Sequence, residues 1–373
     1  MTLSICGFTL VFLLYWTVPS RWKEVVLIAA GVIGLSWYSP SAALATTSLV
    51  IVVWVGLQRP KRPLDLVSVA LVATAFLTYK LFANGGPFER PLILVGFAYA
   101  VPRAVHVLLD ARYRGTQKPS LRVFLAYFWF FPTLAIGPIH RLDEFEREIR
   151  RRRLDIQQIG LGLERILVGL ASVKLIADWL VSSRLDIILG NLAVTRDGAA
   201  AFGRSIQYGL NLYFQFAGWT AVAIGMAATL GIRVAENFHR PFAQPNLAAF
   251  WRSWHMTLTR WTNSYVFQPV AAQTRRPFLA ITATMFSIAL WHEFSARYVC
   301  WACWHAGGLL AHRMFRRLTN HFEWGAWIPA PAVRLVSTSL TVSFVFLGFT
   351  ITRVASIGDA FDEFQTIFTG RYL

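Results

Sequence analysis

Apolar blocks recur along the whole chain, separated by short gaps rich in proline, glycine or charge. They are Leu3–Thr17, Val25–Trp37, Ala42–Leu57, Leu64–Leu81, Leu92–Leu109, Leu121–Ile136, Ile159–Leu189, Ile206–Leu230, Phe278–Trp291, Tyr298–Ala311 and Val333–Ile351. Crossing a bilayer as a helix takes ~20 predominantly apolar residues, with some tolerance, and several blocks are that long. The pattern predicts an all-α polytopic integral membrane protein, with roughly 10–11 membrane helices plus re-entrant or interfacial helices around a central cavity. No fixed-period repeat and no low-complexity tail interrupts the pattern, so one membrane domain is expected.

The polar gaps orient the chain. No basic residue precedes the first block, whereas Arg21 and Lys23 follow it. The gap at Ser39-Pro40-Ser41 is uncharged, Arg59, Lys61 and Arg62 fill the next, Asn84–Arg90 is nearly neutral, and Arg112–Arg122 is basic again. This alternation predicts an N-terminus on the outer face, because cytoplasmic loops collect Lys and Arg. It also predicts that the first block stays in the membrane and is not a removed signal peptide. Leu121–Ile136 breaks the alternation, since His140–Arg153 after it is basic too (Arg141, Arg147 and Arg150–Arg153). A block with basic flanks on both sides is expected to enter and return, turning near Pro132 or Gly137-Pro138. Irregular backbone at that depth is tolerated only inside protein or beside a water-filled cavity.

Composition agrees with the membrane reading: 55% of residues are hydrophobic and 15% charged, against about 25% charged in soluble domains. The net charge of +17 follows mostly from the cytoplasmic bias and from attraction to anionic lipid headgroups. A sharper reading is docking of an acidic soluble partner on the cytoplasmic face. No nucleic-acid module is visible, so no nucleic-acid partner is expected. Cys6, Cys300 and Cys303 make no disulfide framework, and Cys300-x-x-Cys303 lies in an apolar, tryptophan-rich stretch that reads as packing.

Two histidines stand out. His292 and Glu293 end a block that carries no charge from Phe278 to Trp291. An ionisable group at that depth is costly and marks a functional site by default. If the helix continues, His292, Ser295, Ala296, Val299 and Cys303 share one face, with Glu293 turned about 100° away. His255 lies in Phe250–Trp261, where Trp251, Trp254, His255 and Leu258 share the apolar face of an amphipathic helix at i, i+3, i+4 and i+7; Arg252 points elsewhere. Lys174 and Asp178 read as an internal i,i+4 ion pair, and Arg103 or His106 as a contact for an entering anion. His305 and His312 read as interface residues. A zinc site of His255, His292, Glu293 and His305 has no supporting spacing, so no metal is expected.

Four elements of the chain resemble one family. They are Phe130-Phe131-Pro132 with Gly137-Pro138-Ile139; Tyr213-Phe214-Gln215-Phe216-Ala217-Gly218-Trp219 with Ala223-Ile224-Gly225; Glu236-Asn237-Phe238-His239-Arg240-Pro241-Phe242 with Phe250-Trp251-Arg252-Ser253-Trp254-His255; and Leu290-Trp291-His292 with Trp304-His305-Ala306. This order is similar to the membrane-bound O-acyltransferase family, in its branch of alginate O-acetylases and teichoic-acid D-alanyl transfer proteins. The resemblance implies a catalytic core over residues 121–313, with transmembrane helices before it (1–120) and a last helix and tail after it (314–373). It implies His292 as principal catalytic residue, with His255 beside it, and Trp254, Arg252, Asn237, Gln215, Trp291 and Glu293 in substrate binding. Gln215 stands where the family has aspartate, Glu293 where it has glycine, and Thr262-Asn263-Ser264-Tyr265 where it has an RDY element.

The implied activity is movement of an acetyl or D-alanyl group from a thioester to a hydroxyl of an envelope glycan or exported polysaccharide. No bound cofactor is expected; the donor is an acyl carrier protein's phosphopantetheine or coenzyme A on the cytoplasmic face. Membrane lipids and a periplasmic acyl-transfer protein are further expected partners, and the cell (inner) membrane is the expected location. The chemistry needs a base for the hydroxyl proton, and imidazole, with an unperturbed pKa near ~6.5, suits neutral pH. Carrier docking would use basic loops such as Arg112, Arg114 and Lys118 or Arg275 and Arg276. A transporter or flippase using its histidines for proton relay is the rival reading, although the paired repeats common in transporters are not visible. A non-catalytic scaffold of an envelope-modifying complex is the third.

Overall fold

The structure is a computed structural model, which describes residues 2–58, 63–83, 94–193, 197–319 and 329–370. The basic gap at Arg59, Lys61 and Arg62 and the Asn84–Arg90 gap lie outside the described residues. Among the described residues every regular element is helical, and the chain is an all-α membrane protein. Among the described residues three helices are long and apolar enough to cross a membrane, Pro63–Phe82, Ile156–Leu192 and Ala330–Arg353; Cys6–Thr17, Pro40–Gly56, Leu121–Thr133 and Pro277–His292 are shorter apolar segments. The chain gathers into two compact units, Met1–Gly169 with Trp219–Ala235, and Leu170–Gly218 with Glu236–Leu373.

In the first unit Lys23–Tyr38, Pro40–Gly56, Pro63–Ala83 and Phe97–Tyr113 pack around Leu27, Val53, Val72 and Leu108. Pro40 starts its helix at a position whose N–H would be unbonded anyway, and Ser39 caps it by accepting from the Ala42 N–H at 3.4 Å. Further on, Gly162 and Gly225 let two helices touch: a Cβ on Gly162 would lie 2.8 Å from the Gly225 carbonyl oxygen. Small residues at such crossings allow the close backbone approach on which helix association in lipid depends.

Leu121–Ile136 is not a spanning helix. Ser120 caps Leu121–Phe128, which ends after about 12 Å of rise, and the chain continues through a tight turn at Phe131–Thr133 into Leu142–Arg151. Its irregular backbone is buried, and the fold supplies its partners. Arg103, 1% exposed, donates from Nη2 to the Thr133 carbonyl at 2.5 Å and the Pro138 carbonyl at 3.4 Å. Tyr127 donates to the His140 carbonyl at 2.8 Å, and its hydroxyl oxygen lies 2.7 Å from His106 Nε2. Because the single Tyr127 proton goes to the carbonyl, His106 donates to Tyr127. The anion-binding expectation for Arg103 and His106 is thereby corrected. Unmade hydrogen bonds in an apolar interior cost ~1–3 kcal/mol each, and both side chains are committed to preventing that loss.

In the second unit Pro277–His292 and Ala296–Thr319 form a helical hairpin, with Ala330–Arg353 against the second arm and Ile357–Thr369 following. Ser356 and Asp359 start the last helix with a reciprocal capping box. Lys174 and Asp178 do pair, at 2.7 Å, but Lys174 is exposed and Asp178 half-buried, which corrects the internal placement. Asp178 gains its second partner from Gln215, whose amide donates to Oδ1 at 2.6 Å.

Two helices expected to be continuous are broken. Leu247–Ser253 and Met256–Thr262 are separate, with His255 between them at φ 42° and ψ 53°. Pro277–His292 stops at His292, because Glu293 is extended at φ −157° and ψ 140°, and a new helix begins at Ala296. The shared face of His292, Ser295, Ala296, Val299 and Cys303 therefore does not exist.

In protein lacking Cys6, Cys300 and Cys303, we expect single cysteines at Pro119 and at Asp143 to react with a membrane-impermeant maleimide from the same face. Labelling from opposite faces would mean that the short helix and turn between them cross the membrane.

Candidate active site

The site is built from the second unit alone, and it starts at Asn237. This residue is fully buried, and its Oδ1 accepts from the Thr257 N–H at 3.2 Å and the Thr257 hydroxyl at 2.6 Å. Its backbone carbonyl accepts from the Met256 N–H at 2.8 Å, and the His239 N–H donates to the Ser253 carbonyl at 3.0 Å. These bonds draw the 237–239 segment into the gap between the two short helices. The left-handed backbone at His255 costs about 1–2 kcal/mol for a residue with a Cβ, and the cluster of hydrogen bonds offsets it.

The same oxygen sets the His255 ring. Nδ1 lies 3.3 Å from Asn237 Oδ1, and an amide oxygen that already accepts from Thr257 can only accept again, so Nδ1 carries the proton. Nε2 is then bare, and it is buried with no hydrogen-bond partner among the described residues. The ring is 2% exposed, with Phe216 edge-on at 4.7 Å and Trp291 at 5.6 Å.

Trp291 also touches the second histidine, its ring 4.8 Å from that of His292. Tyr298 stacks on His292 at 5.6 Å and 22°, and Trp301 meets it at 6.2 Å. Unlike His255, His292 is exposed. One imidazole is thus sealed and fixed, the other open at a helix end, and Trp291 lies against both. An exposed imidazole of this kind can accept a proton from a molecule that meets it.

The turn that ends the His292 helix is clamped. The Glu293 carboxylate takes two bonds from Arg297 Nη2, at 2.8 and 2.9 Å, and Arg297 Nη1 donates to the carbonyls of Val354 and, at 3.4 Å, Thr352. Where a glycine would end the helix by conformation alone, this chain uses an ion pair.

Not every residue named from the sequence joins the histidines. Asn237 and Trp291 touch His255 directly. Trp254 is buried among Phe238, Phe250 and Tyr213 and backs the site as packing. Gln215 is turned to Asp178, and its neighbour Phe216 supplies the ring against His255. Arg252 is exposed and lines a separate cavity with other arginines. His305 is not at an interface: it is 1% exposed, between Trp301 at 4.7 Å and Trp251 at 5.2 Å, because the helix face carrying it turns toward the aromatic core. Phe216, Thr257, Tyr298 and Arg297 were missed. Both helices carrying the histidines break at the site, so helical spacing gave no signal for them.

Over residues 30–357 the chain matches the MBOAT, membrane-bound O-acyltransferase family. It is 26% identical over 334 residues to a probable alginate O-acetylase AlgI of Azotobacter vinelandii, covering 81% of this chain and 66% of that protein. A teichoic acid D-alanyltransferase of Bacillus subtilis is 26% identical over 283 residues, covering 71% and 70%. A peptidoglycan O-acetyltransferase of Helicobacter pylori is 26% identical over 250 residues, covering 65% and 46%. The chain therefore spans just under two thirds of the length of the Azotobacter protein.

Asn237→Ala removes the acceptor for Thr257 and the guide for His255. We expect a lower melting temperature, from about 1–3 kcal/mol per buried donor left unpaired, and transfer activity down by at least tenfold in the protein that remains folded. Activity within twofold of wild type would show that the ring does not depend on Asn237.

Proposed function

We propose that this chain, which belongs to the membrane-bound O-acyltransferase family, moves an acetyl- or D-alanyl-class acyl group from a thioester to a hydroxyl of an envelope glycan or exported polysaccharide. It does so as a multi-pass protein of the cytoplasmic (inner) membrane. The observation that carries the reading is the pair of imidazoles against Trp291, one sealed with a bare Nε2 and one exposed. The acyl and acceptor classes are supported by what the relatives are named for: O-acetylation of alginate, D-alanylation of teichoic acid and O-acetylation of peptidoglycan.

The acceptor hydroxyl meets His292, the open imidazole, which takes its proton as the oxygen attacks the thioester carbonyl. The carbon–sulfur bond breaks, and the proton passes from His292 to the departing thiolate. General base help of this kind is worth about 10²–10⁴ in rate. Tyr298 and the Glu293–Arg297 clamp keep His292 in place. His255, its Nδ1 held by Asn237, keeps a bare Nε2 buried on the other side of Trp291 and stabilises the charged state of the pair.

The donor is a phosphopantetheine thioester on an acyl carrier protein, or coenzyme A. Of the basic loops named from the sequence for a docked carrier, the pair without a carboxylate partner among the described residues is Arg275 and Arg276, both exposed at the turn before Pro277. Arg112 is engaged by Asp65, Arg114 by Asp110 and Lys118 by Gln58.

With purified protein and an acyl thioester, His292→Ala should abolish transfer, and His255→Ala should lower it by about 10²-fold or more. Both variants should remain folded in the membrane fraction. Mass spectrometry of envelope glycans should show one ester missing from cells without the gene. Transfer by His292→Ala at the wild-type rate would overturn the mechanism, and an unchanged ester profile would favour transport or scaffolding.

A further inference from the structure

A second concave site lies within the same unit, away from the His255 ring. It is a cavity of about 540 Å³. Its lining includes Arg252, Arg313, Arg316, Arg317 and His312 and, among the described residues, no acidic side chain. Arg313, Arg316 and Arg317 follow one another at i, i+3 and i+4, so the helix Ala296–Thr319 presents them on one face. Arg252 joins them from Leu247–Ser253. Among the described residues none of the four arginines makes an ion pair with a carboxylate. Cations gathered in this way repel one another, and the arrangement favours an anion between them.

The rest of the lining is of another kind: Trp251, Phe267, Ile281, Met285 and Leu309 are apolar, and Thr259 and Asn263 add an uncharged hydroxyl and amide. A small inorganic anion would use only the basic side. The combination suits an anion joined to a chain, and guanidinium groups match the oxygens of a phosphate two at a time.

The direction of the cavity links it to the reaction centre. Ile281 and Met285 line it, and Ile288 and His292 follow at spacings of three and four on the same face of one helix. From Met285 to His292 that face rises by about 10 Å. Trp251 also belongs to both places: it lines the cavity, while its ring meets Trp301 at 5.7 Å, and Trp301 meets His292.

We propose that this cavity binds the phosphate ester of an amphipathic molecule. The phosphate lies on Arg252, Arg313, Arg316 and Arg317, and the attached chain runs along Trp251 and Met285 toward His292. The inference rests on the acyl-transfer reading for its direction, though not for the binding itself. Two molecules carry this chemistry, the phosphopantetheine arm of a thioester donor and an anionic phospholipid.

The test uses the full chain in nanodiscs, with a doubly substituted Arg313→Ala/Arg316→Ala protein and an Arg313→Lys/Arg316→Lys control. Both residues are exposed, and unchanged melting temperatures would confirm intact folds. The first measurement compares kcat/KM for acetyl-phosphopantetheine with that for acetyl-pantetheine, which lacks the phosphate. If the donor arm is the ligand, wild type prefers the phosphorylated thioester by at least about tenfold, equivalent to about 1.4 kcal/mol. The alanine protein then discriminates by less than threefold, and the lysine control falls between.

The second measurement is native mass spectrometry of both proteins after delipidation and addition of phosphatidylglycerol. Retention by wild type and loss by the alanine protein, without donor discrimination, would assign the same phosphate site to lipid. Such retention in a protein that transfers no acyl group from any thioester would remove the acyl-transfer reading and keep the site. Equal use of both thioesters by all proteins, together with equal lipid retention, would overturn the proposal.

Discussion

The His255 half of the candidate site depends on one buried carboxamide. Asn237 Oδ1 receives the Thr257 N–H, the Thr257 hydroxyl and His255 Nδ1, and this convergence forces the chain to buckle at a residue that would otherwise continue a helix. Without the buckle, the imidazole would project from the side of an amphipathic helix, free to rotate and to choose its proton. With it, the ring is held edge-on between Phe216 and Trp291, and the bare nitrogen is decided by the scaffold. Strain of about 1–3 kcal/mol at such positions persists only where surrounding bonds over-determine the conformation. Asn237 and the aromatic packing of Trp254 provide that determination.

The need of backbone groups for partners in an apolar interior shapes the first unit. There a short capped helix and a turn replace a spanning helix, and Arg103 donates to the carbonyls of that irregular backbone while Tyr127 and His106 complete a buried relay of hydrogen bonds. Arginine suits this task because its planar group reaches several carbonyl oxygens at once. Ionisable residues in a membrane protein invite a functional reading, yet Arg103 and His106 serve the backbone. His292 is distinguished from them by its exposure and by the rings of Trp291, Tyr298 and Trp301 around it.

Much of this was legible in the sequence, for reasons that differ by element. Apolar block lengths gave the helical membrane architecture, and basic flanks on both sides of Leu121–Ile136 exposed a segment too short to span. Motif order pointed to His255, His292, Asn237 and Trp291 together. What failed was periodicity across the site. A spacing of i, i+3, i+4 and i+7 around His255 is compatible with one helix or with two short ones, and only the remote Asn237 decides between them. The end of the helix at His292 was equally hidden, because glutamate is a good helix former and its pairing with Arg297 depends on the next helix. Gln215 was misleading in another way: its motif position faces the site through Phe216, one residue on, while its own amide satisfies Asp178.

The central claim is that the scaffold fixes which His255 nitrogen is free. Nitrogen-15 NMR of ring-labelled histidine in nanodiscs, with the His255 signals identified by their absence from His255→Gln protein, reads the tautomer directly. The account requires Nδ1 to carry the proton and Nε2 to show the shift of an unprotonated ring nitrogen. A His255 ring protonated at Nε2 at neutral pH would contradict it.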